Sequence, residues 1–179
     1  GLVGSEMCIR DSSDGYKREF YKIAGSYFPN DNLKINLQYR VRKENEWLIW
    51  TEDNKFGLYD SEQDTVSIGL NWFSGNKHEI RLKSQFVALQ ADNPQSLISD
   101  NGGYLYESDD LIKPFTQGVV SFQVRYKYEI APLSYLYLVY SKGGTSYDED
   151  EDYSKSEIFN QPWNNPSDEV YSIKFRLKY

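Results

Sequence analysis

His78 is the only histidine among 179 residues. It is therefore the one side chain whose ordinary titration range suits general acid–base work near neutral pH. An esterase built on it would need a serine beside it. His78 follows the short turn "SGNK", and a turn residue is the simpler role. The run "DEDED" at 148–152 is dense enough in carboxylates to attract a divalent cation. It lacks the central Gly and terminal Glu of a helix–loop–helix calcium loop, so it reads as a solvated surface segment. Glu107, Asp109 and Asp110 hold carboxylates of the kind that cleave glycosides in pairs, but sequence spacing fixes no separation in space. Gly143–Gly144 reads as a turn signal, not a phosphate loop. Cys8 is the single cysteine, so no internal disulfide and no Cys/His zinc cluster can form. No catalytic group, metal or cofactor follows from these residues, and the fragment is not expected to be an enzyme.

The elements that would position them carry more information. With 16 Tyr, 9 Phe and 4 Trp, the chain is 16% aromatic, a bias that favours strands. No apolar run approaches the roughly 20 residues of a membrane-spanning helix. A barrel escapes that test, because its strands alternate and dilute their own hydropathy. A net charge of −7 argues against a nucleic-acid partner.

"LKINLQYRV" (33–41) sends Leu33, Ile35, Leu37, Tyr39 and Val41 one way and Lys34, Asn36, Gln38 and Arg40 the other, the period of two of a half-apolar strand. The pattern recurs at 66–72, 80–88 and 120–130, and again at the end of the chain. Seven strands are predicted, at 16–28, 33–50, 65–73, 78–90, 118–130, 135–141 and 169–179. Short connections (29–32, 74–77, 131–134) alternate with long ones (51–64, 91–117, 142–168). In an antiparallel meander, alternate connections lie at opposite ends. One end should carry tight turns and the other long loops, the asymmetry of an outer-membrane barrel. The expected architecture is an all-β antiparallel transmembrane β-barrel meander.

Of the 27 acids, 17 fall in the three long connections. Basic residues Lys34, Arg40, Arg81, Lys83, Arg125, Lys127, Lys174 and Arg176 occupy polar strand faces and are expected to line the lumen. Aromatic belts are expected near the strand ends, from Trp72, Phe73, Tyr126, Tyr128, Tyr135 and Tyr137 at one interface and Trp47 and Trp50 at the other. The closing strand, "EVYSIKFRLKY", alternates Tyr171, Ile173, Phe175, Leu177 and Tyr179 with basic and polar residues. Such an ending resembles the signal read by the outer-membrane assembly machinery.

The opening "GLVGSEMCIRDS" (1–12) lacks the alternation and resembles an adapter-derived artefact at the ends of translated assemblies; a disordered linker is the alternative. Set aside, it leaves residues 13–179 as one domain with no initiator Met. Bacterial barrels use even strand numbers, so seven strands are expected to be the carboxy-terminal part of a longer barrel.

Three stretches resemble one family: "GLNWFSGNKHEIRLKSQFVALQA" (69–91), "FQVRYKYEIAPLSYLYLVYSKGG" (122–144) and "FNQPWNNPSDEVYSIKFRLKY" (159–179). They are similar to the carboxy-terminal barrel of the domain of unknown function 5916 proteins. The resemblance covers nearly everything after residue 13. Those proteins usually carry an amino-terminal carbohydrate-binding family 9-like domain, absent here, and no catalytic residues carry over. The resemblance implies a Gram-negative outer-membrane protein that touches lipid bilayer and lipopolysaccharide, with a saccharide ligand reached through the missing domain. A porin or receptor-type transporter with a basic lumen is the alternative. The anchor of an enzyme whose active site lies upstream is another.

Overall fold

A computed structural model describes residues 1–13, 16–149 and 153–178, leaving out the side chains of residues 6–13 and 16. The strands are β1 (Leu2–Ser13), β2 (Tyr16–Asn30), β3 (Leu33–Glu52), β4 (Lys55–Ser74), β5 (His78–Ser99), β6 (Leu105–Glu107), β7 (Phe115–Ala131), β8 (Ser134–Glu149) and β9 (Asp168–Arg176), with one helix, α1 (Lys155–Asn164), before β9. All strands join one sheet in the order β1-β2-β3-β4-β5-β7-β8-β9, with β6 added beside β5. Every pairing is antiparallel. The expected all-β meander is present. Its edges, β1 and β9, do not pair with each other, so the sheet is open.

Besides β6, a three-residue strand within the connection expected at 91–117, the elements differ from the sequence reading in three places. Residues 2–13, set aside in the sequence reading and not among its seven strands, form an edge strand in register with β2 from Leu2↔Tyr27 to Ser13↔Tyr16. Backbone pairing needs no side-chain alternation at an edge, so the pattern gave no warning. The connection expected at 51–64 is two strand extensions joined at Asp53–Asn54, because β3 and β4 stay paired from Trp47↔Tyr59 to Glu52↔Lys55. Likewise β5 runs on to Ser99 and β8 to Glu149. Register shifts at Glu44/Trp47 and Leu58/Asp60 break the period of two, and β8 beyond Lys142 is mostly small and polar, so a period-of-two search missed these extensions. The third difference is α1. Its start was legible: Ser154 accepts from the Glu157 amide and Glu157 reaches back to the Ser154 amide, a reciprocal capping box. Pro162 inside the helix argued the other way.

Cross-strand register places Leu37, Ile68, Ser84, Phe122, Lys142 and Glu169 in one row. That row belongs to the apolar face. On β2, β3, β4, β5, β8 and β9 this face is largely apolar at alternate positions and then meets a charged or amide group: Glu19, Lys43, Asp64, Gln90, Lys142 and Glu169. On β3 the apolar run Leu33–Val41 spans about nine residues, the length a tilted strand needs to cross a bilayer core. The end of the band lies about six residues further along β3 than the Lys142 row, and at that row on β9. That is a stagger of about one residue per strand, matching the shear of closed barrels whose strands tilt by about 36°.

Little covers this face. Leu37 is 55% exposed, Ile23 60% and Ile173 69%. The buried apolar residues are Tyr59, Ala88, Ala91, Val120 and Ile158, spread over both faces and α1. α1 shields only the upper end of β5, β7 and β8. Ile158 and Pro162 are buried against the sheet, and Trp163 rests on Phe86 and Phe122, with ring centroids 5.9 and 5.5 Å apart. Glycine makes that approach feasible. A Cβ at Gly118 would meet the Ile158 carbonyl, and one at Gly144 the Pro162 carbonyl. Pro162 has no N–H to offer the Ile158 carbonyl four residues back. That carbonyl is the one that comes down on Gly118.

Candidate functional site

The opposite face is polar and concave. A groove of about 680 Å³ is lined by residues from six strands, from Gly4 and Ser5 on β1 through Asn36 and Gln38 on β3 to Ser121 and Gln123 on β7. Strands stand about 4.8 Å apart, so a flat sheet could not bring β1 and β7 to one groove. The sheet must curl towards its polar side. Small and amide side chains line the groove, and they bond one another across strands, as Ser26 Oγ does in donating to Asn36 Oδ1 at 2.8 Å. A concave polar face and a convex apolar face invert the usual arrangement of a sheet in water, where apolar residues fill the concavity.

All eight basic residues singled out in the sequence fall on this polar face by register. Arg81 stands opposite Arg125, and Lys127 and Lys174 both flank Tyr137. Near the short turns they gather around one acid. Glu79 is buried, and its carboxylate pairs with Arg81, with Lys127 at 3.6 Å and with Arg125 at 4.0 Å. Further up, Arg40 donates to Thr65, and Arg42 and Arg18 share Glu44. At the far end, Trp47, Tyr59, Phe115 and Tyr147 form an aromatic cluster on the polar side, with Phe115 stacked on Tyr147 at 5.3 Å and edge-on to Tyr59 at 5.2 Å.

Trp47 therefore does not belong to a belt on the apolar face. Nor do Tyr135, Tyr137 and Phe73, whose register puts them on the polar side. On the apolar face lie Trp72, Tyr126 and Tyr128 near the turns, Trp50 on the extension of β3, and Trp163 of α1 at the far end of the apolar band. Trp163 was missed because the sequence placed it in a loop.

Just beyond the apolar band on β4, the convex face carries a charged network. Asp64 is 1% exposed. Lys155 of α1 reaches its Oδ2 at 2.6 Å and also pairs with Glu62, while Lys43 holds Glu62 at 2.7 Å. Tyr39 donates its hydroxyl to the other Asp64 oxygen. These contacts fasten the start of α1, and Gly118 and Gly144 seat the rest.

The remaining sequence candidates separate. His78 Nδ1 lies 2.7 Å from the Tyr126 hydroxyl, and its ring stacks on Tyr128 at 4.9 Å, so it packs into a group of tyrosines beside the short turn. Asp110 pairs with Lys55 at 3.0 Å. Of the acidic run, Asp150, Glu151 and Asp152 lie outside the described residues. Among the described residues, no group of three His, Cys, Asp or Glu side chains could hold a metal. Gly143 and Gly144 lie within β8 rather than in a turn. Tyr171, Ile173 and Phe175 share the apolar side of the edge strand β9 and are all exposed. Leu177 follows the strand, and Tyr179 lies outside the described residues.

One loop is locally organised. Asp100 Oδ1 accepts from the Gly102 and Tyr104 amides at 2.8 and 3.0 Å. Those bonds, the Tyr104 amide foremost, hold its carboxyl below the usual carboxylate range. A depressed value means that the order Asp100 contributes is complete above the ordinary carboxylate pKa and is lost as pH falls through the lowered one. The Gly102 and Tyr104 amide resonances should therefore shift with a midpoint below that of an unstructured aspartate. A midpoint at or above the ordinary value would remove this role.

Comparison with known proteins finds no family model that matches the chain and no match among curated proteins.

Proposed function

We propose that this chain forms wall of an outer-membrane β-barrel, its convex apolar face against lipid and its concave polar face lining an aqueous lumen. The observation that carries the reading is the uncovered apolar band. One layer of sheet with a single ten-residue helix leaves Leu37, Ile68, Ile173 and Phe175 exposed. In water, so few buried apolar side chains could not offset the conformational entropy of ordering the described residues. A bilayer supplies the missing burial. It also demands that backbone groups be paired, which a sheet closed through β1 and β9 would achieve. The stagger, the band length and the Trp–Tyr rows at its margins support the same reading.

On this reading the short turns are periplasmic, and the strand extensions with α1 stand at the outer surface beside lipopolysaccharide. β9 is the strand recognised by the assembly machinery. The resemblance to the domain of unknown function 5916 barrels supports a Gram-negative origin and a parent protein that takes a saccharide through its other domain. The chain itself acts as wall rather than as catalyst. The basic residues on the concave face favour a second reading, an anion-preferring pore; planar-bilayer conductance with anion selectivity would support it. The first reading is tested by labelling intact cells with a membrane-impermeant reagent. Cysteines placed at 101–103 should react and those at 75–77 should not. Reaction confined to 75–77 would reverse the orientation, and reaction at neither would remove the surface assignment.

A further inference from the structure

The geometry points to a binding site for a small organic phosphate on the polar face, at its short-turn end, formed by Arg125, Lys174 and Arg176. A groove of about 380 Å³ is lined by these three cations with Tyr137, Val139 and Ser172, and by no acid. Its volume is at the low end for small-molecule pockets. Lys174 and Arg176 have no anionic partner among the described residues. Arg125 reaches one acid, Glu79, at 4.0 Å, and Arg81 and Lys127 already engage that carboxylate.

Like charges set opposite one another destabilise a sheet. Arg81 faces Arg125 directly across β5 and β7, and Lys174 and Arg176 add two further charges on the same face. Two acids stand near these five cations on this face, Glu79 and Glu129. Among the described residues only Glu79 pairs with any of the five, and two carboxylates leave an excess of positive charge that an anion from outside would complete. The donors indicate which kind. Two guanidinium forks, an ammonium and the Ser172 and Tyr137 hydroxyls offer more hydrogen bonds than one carboxylate can accept. A phosphate monoester brings three acceptor oxygens and close to two negative charges at neutral pH. The Val139 side chain and the Tyr137 ring provide an apolar flank for the organic part. The site goes beyond the wall reading, since its residues lie on the polar face whatever covers the other.

The test is titration calorimetry on the full chain in detergent micelles at low salt, with glycerol 3-phosphate, inorganic phosphate, acetate and glycerol as probes. Glycerol 3-phosphate should bind best, inorganic phosphate more weakly, acetate weaker still and glycerol not at all. The double variant Lys174→Gln/Arg176→Gln, both at exposed edge-strand positions, should lose about tenfold or more in phosphate affinity with an unchanged circular dichroism spectrum. Lys34→Gln, on the same face but outside the groove, should bind as the parent does. Glu79→Gln should bind more tightly, because it removes the competing carboxylate. Equal affinity of the double variant and the parent would overturn the site. So would acetate binding as tightly as phosphate, or an equal loss in Lys34→Gln, which would indicate diffuse attraction to a basic surface.

Discussion

Leu37→Arg is expected to cost about 2–4 kcal/mol of folding stability in lipid, while Gln38→Arg, one residue along, costs little. Leu37 stands at the middle of the Leu33–Val41 run, which under the proposed function sets it near the bilayer midplane, where a charge is most expensive. Gln38 lines the polar groove. The contrast discriminates because Leu37 is already 55% exposed. In water, a substitution at so open a surface position typically changes stability by no more than about 0.5 kcal/mol. Urea titrations of both variants folded into phosphatidylcholine vesicles would measure the difference. Equal midpoints would mean that the apolar face does not meet hydrocarbon.

Gly144→Ala is expected to release α1 from the sheet without dissolving the strands. A Cβ there meets the Pro162 carbonyl, a backbone atom that no rotamer change can move aside. The helix must shift as a body, and with it go the burial of Ile158 and Pro162 and the seat of Trp163 on Phe86 and Phe122. Overpacking of this kind typically costs about 1–3 kcal/mol. Trp163 emission should move to longer wavelength, and protease should cut within 153–167, while the β spectrum stays as it was. Parent-like protection of that segment would show that the close approach at Gly144 does not seat the helix.

How much of this was legible depends on which physical force fixed each part. The alternation of β3, β4, β5, β7 and β9 was readable because one face must be apolar and the strand period is two. The same period puts Lys34, Arg40, Arg81, Lys83, Arg125, Lys127, Lys174 and Arg176 on one face, and the register of the sheet has them on one face too. The strand extensions above the band were not readable. Lys55–Gln63 mixes Phe56, Leu58 and Tyr59 with polar residues, and the register shift between Leu58 and Asp60 breaks the alternation, so a period-of-two search finds no signal there. α1 had a local signature in Ser154 and Glu157, but Pro162 opposed it. Only the tertiary contacts with Gly118 and Gly144 decide between the two. The groove between β7 and β9 needed three dimensions as well. Arg125 and Lys174 are far apart in the chain, and the pairing of β8 with both neighbours brings them together.

Spin labels placed singly at 33 to 41 of the full chain, with Cys8→Ser removing the native thiol and the protein folded into vesicles, give the most direct test of the apolar face against lipid. Accessibility to dissolved oxygen should peak at 33, 35, 37, 39 and 41, greatest near 37. Accessibility to a water-soluble nickel chelate should peak at 34, 36, 38 and 40. Two profiles alternating in opposite phase, with the oxygen maximum at mid-strand, are the expected result. Nickel access at both parities, or a chain that stays monomeric and unfolds cooperatively in plain buffer without lipid, would contradict the account.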